Sequence, residues 1–456
     1  MKAMKLSQAA DFTGGVLTGE DKSFSCISTN SKEIPENCLF LPLKGERFDG
    51  HDFISGAIEN GAAAVMRHRQ DQPLPVPTVT VADTRQALLD LAAGYRSQFS
   101  IPVVGLTGSV GKTTTKEMVW SVLSQKYDTL KTEGNFNNQI GLPKTIFRLE
   151  DHHQAAVLEM GMSDFGEIAS MTRAARPDVG IITNIGVSHI EFLGSREGIC
   201  QAKLEILEGM SADGTIILNG DEPLLWKKRK KIPQKILFFG VENPDCDFRA
   251  QDIQLTETGV TFTLCYANKK LAAEIRIPGR HNVMNGLAAA AAGHVLGLSD
   301  EEILQGLSAY QTVGMRQNLF EKDGLTIYED CYNASPESMA AALTVLQELP
   351  RKGAKIAVLG GMLEMGSYAA QGHRQVGQKA AQCADRLYLY GAGAEDIRQG
   401  ALQAGMPENK IQIFDSHAAL AQALKQDTQK GDALLFKGSR GMKMETALKL
   451  LLGEEE

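Results

Sequence analysis

The sequence predicts an α/β protein of three domains: a mixed α/β unit over residues 1–98, a central parallel sheet over 99–313, and a second, doubly wound α/β unit over 314–456. Three observations carry this prediction. At 456 residues the chain is long for one hydrophobic core, and a length of this order implies roughly two to four domains. From Pro102 onward, short apolar runs alternate with helix-like segments, the mark of a parallel sheet covered on both faces. One such run ends in a glycine-rich turn, Val103-Val-Gly-Leu-Thr-Gly-Ser-Val-Gly-Lys-Thr-Thr114.

In the first region, residues 57–66 read as a helix, a glycine turn and a strand, 78–81 as a strand, and 84–99 as a helix. In the second, candidate strands are 103–106, 155–159, 179–183 and 214–219. From 235 to 277 the pattern alternates apolar and polar residues, which predicts antiparallel hairpins at one sheet edge. Residues 282–298 read as an alanine-rich, closely packed helix. In the third region, strands are expected at 325–329, 356–359, 386–390, 411–414 and 433–436, each followed by a helix, the Rossmann-like pattern.

Composition narrows the class. Hydrophobic residues are 43% and charged residues 22%, ordinary for a soluble globular protein. The net charge of −8 gives no global field for nucleic acid or an anionic membrane. The run Lys227-Lys-Arg-Lys-Lys231 reads as a solvated helix end in preference to a contact patch. Seven scattered cysteines without a C-x-x-C pair fit free thiols in a reducing compartment. With no apolar leader and no long apolar run, the chain reads as a cytoplasmic, soluble protein without membrane insertion, expected to be a monomer.

The glycine-rich turn carries the strongest chemistry. A strand running into such a turn and then into a helix aims backbone N–H groups at one point, and the helix N-terminus adds partial positive charge. The guest expected is a nucleotide polyphosphate cradled by Gly108, Ser109, Gly111 and Thr114, with Lys112 on its phosphates and the Thr113 hydroxyl on Mg²⁺. The strict spacing would place the first glycine at Leu106; here the glycines are Gly105, Gly108 and Gly111.

Glu159 ends an apolar strand where a metal-holding acid would sit, and Mg²⁺ needs only one or two protein oxygens. His189 follows the next strand, so a structural histidine and a group on the phosphate face are both open readings. Lys203 has no acidic neighbour at helical spacing, and a lysine snorkelling to water is the reading its spacing favours. The loop Asp330-Cys-Tyr-Asn-Ala-Ser-Pro336 is a turn by composition or a binding loop by its place after a strand. Lys437-Gly-Ser-Arg440 suits a carboxylate or phosphate, or else is a solvated basic turn.

Together these motifs resemble the Mur ligase family, the ATP-dependent amide-forming enzymes of peptidoglycan precursor synthesis. The resemblance covers essentially the whole chain. Its central signature is Thr107-Gly-Ser-Val-Gly-Lys-Thr113, then Glu159, His189 and Lys203 in family order. Four stretches resemble the branch that adds D-alanyl-D-alanine to UDP-N-acetylmuramoyl-tripeptide. They are Glu133-Gly-Asn-Phe-Asn-Asn-Gln-Ile-Gly-Leu-Pro143, Tyr332-Asn-Ala-Ser-Pro336, Val358-Leu-Gly-Gly-Met-Leu-Glu-Met-Gly366 and Lys437-Gly-Ser-Arg440.

The resemblance implies roles. Ser31 and Lys44, within Ser28-Thr-Asn-Ser-Lys32 and Leu39-Phe-Leu-Pro-Leu-Lys-Gly45, would contact the UDP substrate. Asn135, Asn138, Asn333, Ser335 and Lys437 would contact substrate elsewhere. Asn282, Asn285, Arg316 and Asp330 would serve ATP, and Thr113, Glu159, His189 and a carbamylated Lys203 would hold metal. Lys112, His189 and Lys203 would be the catalytic set. The implied reaction runs through an acyl phosphate. Departures from the family pattern fall at Asn30, Lys32, Ser335 and Gly361. A sister ligase taking another amine is the near alternative. A nucleotide switch is the distant one, and it accounts for neither flanking domain.

Overall fold

A computed structural model describes residues 1–45, 47–68, 72–256, 259–350 and 353–454. The central region is built on a nine-stranded sheet. The glycine-turn strand Val103–Thr107 lies inside it, between the parallel strands Ala155–Glu159 and Val179–Ile182. Beyond Val179–Ile182 come Thr215–Asn219 and Lys235–Gly240, both parallel. The antiparallel pairings expected from residue 235 begin only at Phe248–Leu255, which pairs with Val260–Tyr266, itself paired with Lys269–Ile275. Lys235–Gly240 follows the helix Pro223–Lys228, so it completes one more strand–helix–strand crossover and has to run parallel. A short edge strand, Thr129–Lys131, carried no readable periodicity.

Alternation within a strand shows both faces covered. Ala156 and Leu158 enter one core, whereas Ala155 and Val157 enter the other. The first core is continuous with the N-terminal region: Tyr95, on the helix Thr84–Arg96, packs there and donates its hydroxyl to Leu149 O at 2.7 Å. The second core holds the alanine-rich helix His281–Val295 against the helix Lys112–Leu123 that follows the glycine turn.

The N-terminal five-stranded sheet is parallel except where Val16–Thr18 meets Thr78–Thr80. The C-terminal six-stranded sheet is parallel except at Asn318–Lys322, an edge strand that the pattern did not reveal. There Ala433–Lys437 lies between Leu325–Asp330 and Lys355–Gly360. The connections change direction at that point, so the loops after these three strands open a crevice at their carboxyl ends.

Candidate active site

The glycine turn is shaped by its neighbours. A Cβ on Gly108 would stand 1.8 Å from Thr183 Oγ1, and Gly111, at φ +79°, faces Asn285 Oδ1 at 2.9 Å from where its Cβ would be. Thr183 Oγ1 donates to Val110 O at 2.7 Å, and Ser109 N–H donates to Asn184 O at 3.2 Å. Sequence reasoning missed Thr183 and Asn184, which hold the turn from the next strand's end. Lys112 folds back, donating to Gly108 O at 2.8 Å and Ser109 O at 3.3 Å. Desolvation holds its ammonium below the ordinary lysine value; Glu159 opposes this and Arg316 adds to it.

Glu159 is 1% exposed. Its Oε1 accepts from Asn137 Nδ2 at 2.8 Å and from Thr113 Oγ1 at 3.3 Å. Its Oε2 is buried without a partner. A buried carboxylate oxygen without a partner, beside a hydroxyl, is the kind of hard oxygen donor that Mg²⁺ takes, so Glu159 and Thr113 fit that ion. Asn137 lies in the stretch singled out from sequence, between Asn135 and Asn138, yet it is the one that touches Glu159. Asn138 Oδ1 instead accepts from Ile140 and Gly141 N–H.

His189 takes a left-handed backbone, φ 63°. Its Nδ1 is buried without a hydrogen bond, 3.8 Å from Glu364 Oε2. Burial, then the cations Lys112 and Lys203, push its pKa down to about 4, so the imidazole is neutral near pH 7.

Lys203 does not reach water, against the snorkelling expectation. It is 2% exposed, and its helix Arg196–Leu204 turns it inward with Ile199 and Cys200. Among the described residues it has no hydrogen-bond or ion-pair partner, and burial drives its pKa well below the ordinary lysine value.

The C-terminal domain closes the other wall. Arg316 stacks over the Tyr332 ring at 3.8 Å. Lys437 is 2% exposed, which excludes the solvated-turn reading. Its ammonium pairs with Asp330 and donates to Asn333 O at 3.0 Å, so it ties the 330–336 loop together. Ser335 caps the helix Pro336–Glu348 and accepts from Ser338 N–H. Gln317, also missed from sequence, accepts from Asn282 Nδ2 at 2.7 Å and contacts His281 Nε2 at 3.1 Å.

One cleft of about 700 Å³ gathers most of these groups. Ser109 through Thr114, Asn135, Asn138, Glu159, His189 and Asn285 line it from the central domain. Arg316, Asp330, Asn333, Ser335 and Lys437 line it from the C-terminal one. Gly108, Asn282 and Lys203 lie behind its wall; Asn282 is fully buried, with Nδ2 on Pro278 O and Oδ1 accepting from Asn285. Ser31 and Lys44 are not part of the cleft. Ser31 O accepts from Asn60 Nδ2, and Lys44 O accepts from Arg85.

Comparison with known proteins gives a consistent picture. The family model "Mur ligase middle domain" matches residues 106–293, "Mur ligase, glutamate ligase domain" matches 315–440, and "Mur ligase family, catalytic domain" matches 23–96. The UDP-N-acetylmuramoyl-tripeptide–D-alanyl-D-alanine ligase of Bacillus subtilis is 43% identical over 93% of this chain and 93% of that protein. Its Escherichia coli counterpart is 36% identical over 99% of each. A crystal structure of MurF from Acinetobacter baumannii superposes with a TM-score of 0.93, at 32% identity and full coverage of both chains. MurF ligase from Thermotoga maritima, solved in complex with ADP, gives 0.85 at 32% identity, over 94% of this chain and 97% of that one.

Proposed function

The chain belongs to the Mur ligase family, and we infer from its cleft that it is the ATP-dependent ligase joining D-alanyl-D-alanine to UDP-N-acetylmuramoyl-tripeptide in peptidoglycan precursor synthesis. The observation that carries the mechanism is a single cleft with a phosphate-binding turn on one wall and Arg316 and Asp330 of another domain facing it.

A carboxylate does not acylate an amine at neutral pH, because its leaving group is too poor. The substrate carboxylate therefore attacks the γ-phosphorus of ATP; the bond to the bridging oxygen breaks, and ADP leaves. The dipeptide nitrogen then attacks the acyl carbon, the bond to phosphate breaks, and the amine proton is lost. Lys112 exchanges its two carbonyl partners for phosphate oxygens, and the turn's N–H groups hold the chain of phosphates. Arg316 arrives with the C-terminal domain, which shields the acyl phosphate from water.

The reading assigns Thr113 and Glu159 to Mg²⁺, with His189 and Lys203 beside a second ion. Bound metal would supply the charge neutralisation that lets two anions meet. Burial, with Lys112 adding to it, drives the Lys203 pKa well below the ordinary lysine value and so favours its uncharged form. An uncharged amine adds CO₂ to give a carbamate and release a proton, turning a costly buried cation into an anion fit for metal. Ser31 and Lys44 are assigned to the UDP end of the substrate. The same reading divides the chain at residues 98 and 313 and places the enzyme in the cytoplasm as a monomer. No helix among the described residues is long and apolar enough to cross a membrane.

The test is ADP release by the purified protein with UDP-N-acetylmuramoyl-tripeptide, with and without D-alanyl-D-alanine. Dipeptide-dependent release, with the pentapeptide product seen by mass, is the expected outcome. Equal release without dipeptide, or preference for a single amino acid, would overturn the reading.

A further inference from the structure

Glu337 stands in the first turn of the helix Pro336–Glu348. Its Oε1 accepts from Val187 N–H at 2.8 Å, across 150 residues of sequence and between the two walls of the cleft. A Cβ on Gly186 would lie 2.7 Å from that oxygen and 3.1 Å from Ser109 Cβ, so Glu337, Gly186 and the serine of the glycine turn meet at one point. The other oxygen, Oε2, is buried with no hydrogen-bond partner, and so is Ser109 Oγ. Both residues line the cleft.

A buried carboxylate oxygen without a donor is unfavourable, so a donor belongs there when the site is filled. A phosphate oxygen at this point would meet like charge, so the guest is a cation. Two cations enter the reaction, a metal ion and the incoming amine, which is an ammonium at neutral pH. The hard-oxygen donors gather at Glu159 and Thr113, both on the central domain. Glu337 belongs to the opposite wall, on the helix that the Asp330–Pro336 loop leads into.

We propose that Glu337 is a substrate-binding residue whose Oε2 takes the α-ammonium of the incoming dipeptide while Oε1 stays on Val187 N–H. The assignment rests on the ligase reading above. It gives a role to the single residue of Ser335-Pro-Glu-Ser338 whose charge the capping geometry does not use.

The experiment is steady-state ADP release with ATP and UDP-tripeptide saturating and D-alanyl-D-alanine varied, on the full chain and on E337Q, E337D and E337A. Glutamine keeps an acceptor for Val187 but loses the charge. E337Q is expected to raise the KM for dipeptide about tenfold or more, with the KM for ATP and the Mg²⁺ dependence unchanged, the scale of one lost charged hydrogen bond. E337D should retain most of the dipeptide affinity. A wild-type dipeptide KM in E337Q, with only E337A impaired, would make Glu337 an interdomain strap and overturn the assignment. A raised Mg²⁺ requirement in place of a raised dipeptide KM would make it a metal ligand and also overturn it. If the unmutated chain shows no dipeptide-dependent release, the ligase reading itself fails, whatever the variants do.

Discussion

Asn184 grips Val110 by both of its backbone groups: Oδ1 accepts from Val110 N–H at 2.9 Å, and Nδ2 donates to Val110 O at 3.0 Å. Val110 is the residue before the left-handed Gly111. The end of one strand thus sets the shape of the loop that follows its neighbour.

Removing that grip should loosen the phosphate site before it unfolds the domain. N184A leaves the Val110 N–H without its side-chain acceptor, at a cost of about 1–3 kcal/mol. The expected result is a KM for ATP raised about tenfold, together with a lowered melting temperature. Nucleotide-binding calorimetry and a thermal melt check it. Unchanged affinity in N184A would show that the turn holds its shape unaided.

Gly108 offers a sharper case, because its missing Cβ is occupied by Thr183 Oγ1. G108A should abolish nucleotide binding and destabilise the chain by about 1–3 kcal/mol, the usual scale of overpacking. In a double-mutant cycle, G108A in a T183A background should recover part of the lost stability, since the clashing hydroxyl is gone. Strict additivity would count against that contact.

These relationships mark where sequence reading stops. The glycine turn, its strand and helix, and Glu159 are legible because their signal lies within a few adjacent residues. The edge strands Thr129–Lys131 and Asn318–Lys322 are too short or too polar to show a period. Asn184, Gln317 and Glu337 gain their partners across 74, 35 and 150 residues, and an isolated Asn, Gln or Glu gives no local sign of that. The burial of Lys203, against its snorkelling reading, and of Lys437, whose two readings stay open in the sequence, has no local signal. Neither local spacing nor loop composition reveals which flank of a helix or strand end the rest of the fold will cover.

His281 allows a test by pH. It lines the cleft, with Nε2 facing Gln317 Oε1 at 3.1 Å. Burial holds its pKa below the ordinary imidazole value, Gln317 and Asp330 pull it up, and Lys437 adds to the depression. The folded pKa is depressed, so the neutral imidazole is the native form. Its contribution is full above the unfolded value of about 6.5 and is lost as pH falls towards the folded value. The stability gap between the unmutated chain and H281N should therefore narrow as pH falls from about 7.5 through 6.5. Denaturant titrations at a series of pH values measure it; a constant gap would mean that His281 does not titrate there.

Lys203 separates stability from catalysis. It is buried near the cation Lys112 and the neutral imidazole of His189, and among the described residues it has no partner of its own. Replacing it by methionine keeps the volume and removes a buried ionisable group that has no partner among the described residues, so K203M should fold as stably as the parent or more so. If the working form is a carbamate, K203M should nevertheless lose turnover by about 100-fold or more, the scale of losing a group around a metal. Enzyme exchanged into CO₂-free buffer should lose activity and regain it when bicarbonate is added, with a carbamate carbon visible by NMR after labelling with ¹³C-bicarbonate. K203R, which keeps the cation and cannot form the adduct, should show no recovery. Full activity of K203M, or indifference of the unmutated enzyme to bicarbonate after verified CO₂ removal, would mean that the lysine serves packing alone.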